Sequence, residues 1–170
     1  MTIHSKMKSI DTLYNSNYFR SRLEARWAVF FDQIGIRWQY ESEGYDLGDG
    51  VFYLPDFWFP DHGFYGEVKP DTILNDIELD KIKRLCDQSG KELILFSGMP
   101  ELKTFPIYGG GWTEDHKVIP FGANLMGRDK YDPYLWDCTD GYTFDHCDGH
   151  ERWNSAVITA QTKRFEHRNK

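Results

Sequence analysis

A chain of 170 residues, 16% of them aromatic, is long enough to bury one core and too rich in packing side chains to be disordered. Its three cysteines, Cys86, Cys138 and Cys147, make no even disulfide set, and no apolar run approaches the roughly 18 residues of a membrane span, so a soluble protein of a reducing, cytoplasmic compartment with no membrane partner is expected. The net charge of −7 speaks against a uniformly basic nucleic-acid binder, but seven acids and one base fall between Asp129 and Glu151, which leaves the remainder near neutral and able to carry a local basic face.

Residues 1 to 15 read as a loosely ordered lead-in carrying Lys6 and Lys8. Asn15 or Ser16 supplies an N-cap for a helix through NYFRSRLEARWAVFFDQI that stops at Gly35. On it Leu23, Trp27, Phe30 and Ile34 form one core-facing stripe, Glu24 lies at the edge of that stripe, and Arg20, Arg22 and Arg26 decorate the rest. Ile36, Trp38 and Tyr40 then alternate with polar residues as a half-buried strand does, and SEGYDLGDG is a turn-rich connection.

The run from Val51 to Pro70, VFYLPDFWFPDHGFYGEVKP, reads as two aromatic-rich strands around a turn at Pro60 to Gly63. Alternation puts Phe52, Leu54, Asp56 and Trp58 on one face, and Tyr65, Glu67 and Lys69 on one. The hairpin therefore brings Asp56, Glu67 and Lys69 together. Two carboxylates on apolar strands are costly unless positive charge sits between them, and a divalent cation is the obvious candidate.

Asp76 to Ser89 suits an amphipathic helix with Ile77, Ile82, Leu85 and Cys86 inward, ended by Gly90, and KELILFSG reads as a buried strand. Residues 99 to 150 are expected as loops with short strands around KVIPF and GYTF. Trp153 to His167 is a final helix with Trp153, Val157 and Ala160 on one face and Phe165 near its end. The chain is one domain over residues 1–170. Its core over about 16–98, in the order αβββαβ, predicts a three-layer α/β unit with a mixed central sheet, followed by an irregular elaboration over 99–170 that ends in a helix.

An E-x-K triplet alone is a weak signal, since a chain of this length holds about half an instance by chance. Two occur here, Glu67-Val68-Lys69 and Glu101-Leu102-Lys103, beside the related Asp115-His116-Lys117. Only the first sits in an apolar run with another carboxylate-bearing strand just upstream. Of the Pro-Asp pairs starting at 55, 60 and 70, only Asp56 has strand-like neighbours; Asp61 and Asp71 suit turns.

Pro55-Asp56, a step of eleven residues to Glu67-Val68-Lys69, and Glu24 on the preceding helix together resemble the PD-(D/E)xK nuclease superfamily. The words RSRLEARWAVFFD, YLPDFW and the tail TKRFEH resemble its small phage-encoded members. The resemblance implies a restriction-endonuclease-like core and a Mg²⁺- or Mn²⁺-dependent deoxyribonuclease, with an endonuclease preferred over an exonuclease and both left open, acting in phage DNA processing, recombination or attack on host DNA. It also implies that Asp56, Glu67 and the backbone carbonyl of Val68 hold the metal, that Glu24 approaches it directly or through water, and that Lys69 orients the attacking water and stabilises the phosphorane. Elementary chemistry agrees: hard oxygen donors suit these ions, and a cation beside Lys69 draws its pKa down. The plainer reading is that Asp56 and Glu67 merely pair with Lys69 or an arginine.

DNA is the expected partner, met by Arg20, Lys81, Lys83, Lys163 and Arg164, although a solvated helix face and a charged terminus explain the last four equally simply. Trp58, Tyr65 and Trp112 suit base stacking or core packing. Cys138, His146, Cys147 and His150 offer a Zn²⁺ set whose C-x7-H-C-x2-H spacing departs from structural zinc patterns. A resolvase or restriction role would bring a homodimer. The rival of a different class is a non-catalytic binding or regulatory protein that reuses the fold and engages a host or phage protein through the acidic segment 129–151.

Overall fold

The computed structural model describes residues 10–101, 103, 105–109, 117–123, 133–137 and 151–165. Its first strands, β1 (Thr12–Tyr14) and β2 (Asn17–Phe19), pair antiparallel across Asn15 and Ser16, whose φ angles of 46° and 62° make the two-residue turn that matches strand twist. The expected lead-in and N-cap are corrected here. Asn15 tolerates the left-handed region through its short polar side chain, and capping falls instead to Ser21, whose Oγ accepts from the Glu24 amide at 3.1 Å. The helix α1 (Arg22–Ile34) ends at Gly35, φ 81°, with the glycine N–H on the Phe31 and Asp32 carbonyls. Trp27, Phe30 and Ile34 of the expected stripe are buried and Leu23 is half-buried. The buried arc also takes in Ala25, Ala28, Val29 and Phe31, because the sheet and the last helix both cover α1.

β3 (Gln39–Tyr40) is shorter than the alternation from Ile36 to Glu41 implies. Within the expected turn-rich connection, β4 (Tyr45–Asp46) pairs with β5 (Phe52–Tyr53) as a separate two-stranded ribbon. β6 (Phe57–Phe59) and β7 (Phe64–Lys69) form the expected hairpin. The run from Val51 to Phe59 is therefore not one strand, a second correction. Pro55 lacks the N–H a continuing ladder needs and the chain bends at Asp56. Phe52 and Asp56 do not share a face as expected: Phe52 is 66% exposed and Asp56 3%.

The helix α2 (Asp76–Ser89) opens on a capping box between Asn75 and Glu78 and closes at Gly90. It carries the chain to β8 (Leu93–Ser97), which runs parallel to β7 with Glu67 opposite Leu95 and Lys69 opposite Ser97. β9 (Phe105–Tyr108) pairs antiparallel with β8. β10 (Lys117–Ala123), over the expected KVIPF strand, and β11 (Pro133–Asp137) extend the sheet to the order β11-β10-β9-β8-β7-β6-β3; GYTF lies outside the described residues. α3 (Glu151–Thr162) is the expected final helix, ending earlier than His167.

Among the described residues the fold is mixed α/β, a mixed sheet with three helices. The β1–β2 hairpin precedes the expected order of elements, and the β4–β5 ribbon interrupts it. α1 and α3 pack with Phe57, Phe59, Phe64, Val68, Ile94 and Phe96 on one side; α2 packs with Leu47, Tyr65 and Leu93 on the other. Ile77 was expected inward and is 70% exposed. The inward arc of α2 instead runs through Glu78, Ile82 and Leu85, which leaves Ile77 about 80° outside it. Among the described residues, no helix is long and apolar enough to cross a membrane.

Gly66 shows how tightly the sheet meets α1's side of the core. A Cβ there would come within 2.8 Å of the Phe96 ring and 2.9 Å of the Phe59 ring. Gly66→Ala should therefore destabilise by about 1–3 kcal/mol through overpacking. Chemical denaturation would show this as a lower midpoint; an unchanged midpoint would contradict such close packing.

Candidate active site

The charged side chains of one cleft of about 510 Å³ come from five segments. The β2–α1 junction contributes Arg20, the first turn of α1 Glu24, the bend before β6 Asp56, β7 Glu67, Val68 and Lys69, and the first turn of α2 Glu78. Glu24, Asp56, Glu67, Val68 and Lys69 are thus brought together. The strand alternation expected for Asp56 is absent, yet the bend delivers its carboxylate to the same place.

Each carboxylate is fixed by donors from other elements. Asp56 Oδ2 accepts from the Val68 amide at 2.8 Å, and Oδ1 accepts from Arg20 Nη2 at 2.8 Å. Arg20 also pairs with Glu41 at 2.6 Å. Glu67 Oε2 accepts from the Tyr53 hydroxyl at 2.9 Å, and its Oε1 lies 3.1 Å from Lys69 Nζ. Glu24 accepts from the Tyr40 hydroxyl at 2.5 Å and from the Ser21 hydroxyl at 2.7 Å. Lys69 bridges Glu67 and Glu78, the latter at 3.0 Å.

The electrostatics follow from burial and crowding. Burial raises the Asp56 pKa well above the ordinary carboxylate value; Glu67 and then Glu24 raise it further, and the Val68 N–H and Arg20 only partly offset them. Burial also holds the Tyr53 phenol protonated, reinforced by Glu67. For Lys69, burial disfavours the charge, but Glu67 and Glu78 outweigh it and leave its pKa raised. Glu78 is held low by the Asn75 backbone N–H against the opposing effect of burial, with Lys69 adding to the lowering.

Sequence reasoning passed over Tyr40, Tyr53, Glu41 and Glu78. Tyr53 was hidden by the assumption of one continuous strand, and Pro55 was the sign against it. Glu78 was legible only as half of an Asn75-x-x-Glu78 capping box; its second oxygen reaches Lys69. Glu78→Gln should therefore let the Lys69 ammonium titrate at lower pH. An NMR titration of Lys69 Cε would register the shift, and an unmoved titration would dissociate the two groups.

The other candidates are dispersed. Lys81 lines the cleft and Lys83 is exposed. Lys163 and Arg164 line a separate groove that also includes Arg20. Glu101 pairs with Lys103 on the surface, Asp61 with Arg37. Tyr65 is buried, and half-buried Trp58 carries the Lys91 ammonium 5.1 Å from its ring centre. Cys86 is buried, with its thiol pushed up to about 12 by desolvation. Cys138, His146, Cys147, His150, Trp112 and Asp115 lie outside the described residues. Among those described, no three His, Cys, Asp or Glu side chains form a ready-made metal cage.

The donor chemistry nevertheless fits a hard divalent ion. Asp56, Glu67, Glu24 and the Val68 carbonyl are oxygen donors only, and four carboxylates face three cationic side chains along the cleft. The repulsion that raises the Asp56 pKa is what a bound cation relieves. No family model, curated protein or solved structure matches the chain.

Proposed function

We propose that this chain is a Mg²⁺- or Mn²⁺-dependent nuclease that hydrolyses phosphodiester bonds in DNA, with a PD-(D/E)xK site on a restriction-endonuclease-like core. The observation that carries this reading is the meeting of Glu24, Asp56, Glu67 and Lys69 in one cleft from two separate elements and a bend. Asp56, Glu67 and the Val68 carbonyl would hold the ion, with Glu24 approaching it. Bound there, the ion lowers the pKa of its water and neutralises charge on the scissile phosphate.

The remaining work belongs to the chain's own groups. Val68 N–H and Tyr53 fix the orientation of the Asp56 and Glu67 carboxylates, so little reorganisation is needed when substrate arrives. Lys69, held by Glu67 and Glu78, presents its ammonium to the attacking water and to the phosphorane charge. Arg20, which pairs with Asp56 through a 58%-exposed side chain, would yield that carboxylate to a bound ion and turn to a phosphate instead.

Incubation with plasmid, single-stranded and branched DNA in Mg²⁺ or Mn²⁺ tests the reading. Metal-dependent cleavage should fall about 100-fold or more in Lys69→Ala. Intact DNA under every condition, or undiminished cleavage by that variant, would remove it. One observation favours a non-catalytic protein on the same fold: Arg20 and the Val68 amide already satisfy both Asp56 oxygens. Under that reading a Mn²⁺ titration gives no heat.

A further inference from the structure

A second groove, of about 710 Å³, lies between the β1–β2 hairpin and the end of α3. Arg20 is the residue it shares with the candidate catalytic cleft, so the two adjoin. Beyond Arg20 its charged wall is Lys163 and Arg164, opposed by Asp11. This wall is anchored: Arg26 donates to the Ala160 carbonyl at 2.6 Å and the Gln161 carbonyl at 2.5 Å, tying the end of α3 to α1. Lys163 in turn holds its ammonium 5.7 Å from the centre of the Tyr14 ring.

The apolar side of the groove is unusual for a surface. Leu13 and Tyr18 are direct cross-strand partners, 50% and 56% exposed, and both line it. The catalytic cleft carries a counterpart, Phe52 of β5, at 66% exposure. One exposed ring in each of two adjoining grooves, with cationic side chains beside them, matches the chemistry of an unpaired strand: phosphates meet the cations and bases stack on the rings. A duplex meets such rings only by unstacking a base step, at a cost of a few kcal/mol.

We propose that the two grooves form a single-strand track, in which unpaired DNA runs from Lys163 and Arg164 past Arg20 to the scissile position. Tyr18 stacks a base on one side and Phe52 stacks a base on the other. This deepens the nuclease reading and rests on it for the scissile position: the preferred substrate is a single strand, or the unpaired arm of a branched one.

Anisotropy of a fluorescein-labelled oligodeoxynucleotide of about 16 nucleotides, with EDTA present so that no metal-dependent cleavage intervenes, tests the track against the same sequence as a duplex. The single strand should bind at least about tenfold tighter. Tyr18→Ala and Phe52→Ala should each weaken single-strand binding by about 5- to 100-fold, Tyr18→Phe should retain it, and thermal stability should be unchanged in all three. The Lys163→Ala/Arg164→Ala double variant should make the salt dependence shallower by about 1.4 in log–log slope. Equal or tighter duplex binding, or aromatic variants with unaltered affinity, overturns the track. Metal-dependent cleavage of duplex without single-strand preference leaves the nuclease standing and the track refuted; tight single-strand binding without cleavage in any metal does the reverse.

Discussion

Asp56→Asn should make the metal-free protein more stable and, on the nuclease reading, should abolish metal binding and cleavage. The native carboxyl is 3% exposed and lies in the field of Glu67 and Glu24, so its folded pKa stands above its unfolded value of about 3.9. A group shifted in that direction contributes stability that is fully present below the unfolded pKa and is lost as pH rises through the folded one. Asparagine escapes that loss and keeps an oxygen to accept from the Val68 amide. It gives up the ion pair with Arg20, whose largely exposed side chain keeps Glu41 as a partner, a small loss by comparison.

In EDTA the variant's unfolding temperature should therefore exceed that of wild type at neutral pH, by roughly 2–4 °C for each kcal/mol relieved, and the gap should close towards pH 4. The same substitution should silence the heat of Mn²⁺ binding and abolish metal-dependent cleavage. A variant that melts lower than wild type at pH 7 would show that Asp56 is held for structure, with its pairing to Arg20 outweighing the crowding.

Trp27→Ala should be the most damaging change away from the cleft. Trp27 is 1% exposed, with its ring 4.7 Å from that of Phe96 and 5.4 Å from that of Phe105, centre to centre. Its indole N–H donates to the Gly98 carbonyl at 2.9 Å. Truncation leaves a cavity, costing about 3–5 kcal/mol, and strips that carbonyl of a partner, adding about 1–3 kcal/mol. The sum reaches the whole stability of an ordinary domain. The variant should show no cooperative thermal transition and lose near-ultraviolet circular dichroism. Trp27→Phe, which fills most of the volume without the N–H, should fold with a lowered midpoint. A cooperative Trp27→Ala with native-like melting would contradict the packing around α1.

Sequence periodicity made the large elements legible because burial enforces it. α1, α2, the β6–β7 hairpin and β8 each present apolar residues to one side or both, and each is where the pattern puts it. It failed where backbone chemistry overrides pattern. Asn15 and Ser16 look like a helix cap, but their φ angles make a hairpin turn, and nothing in the periodicity of residues 10–20 distinguishes the two. Pro55 broke an alternation that otherwise ran from Phe52 to Trp58. Asp56, Glu67 and Lys69 were legible as carboxylates and an amine in the wrong surroundings for solvated charges, and Glu24 entered only through the resemblance. Tyr53, Glu78 and the reach of Arg20 to Asp56 were not, because they depend on which loop folds over which strand.

The parallel pairing of β7 with β8 has a consequence for the order in which the protein comes into being. Every residue lining the candidate cleft lies at or before Ile82, but the strand bearing Glu67 and Lys69 is flanked on one side by β8, which begins at Leu93. A parallel neighbour can be reached only through a crossover, and contacts distant along the chain form late. A ribosome-bound chain that has emerged as far as Gly90 therefore possesses all of the cleft's side chains and lacks half of the support for their strand. The support of the strand bearing Glu67 and Lys69 is completed with the arrival of β8, not with the synthesis of the cleft's last residue.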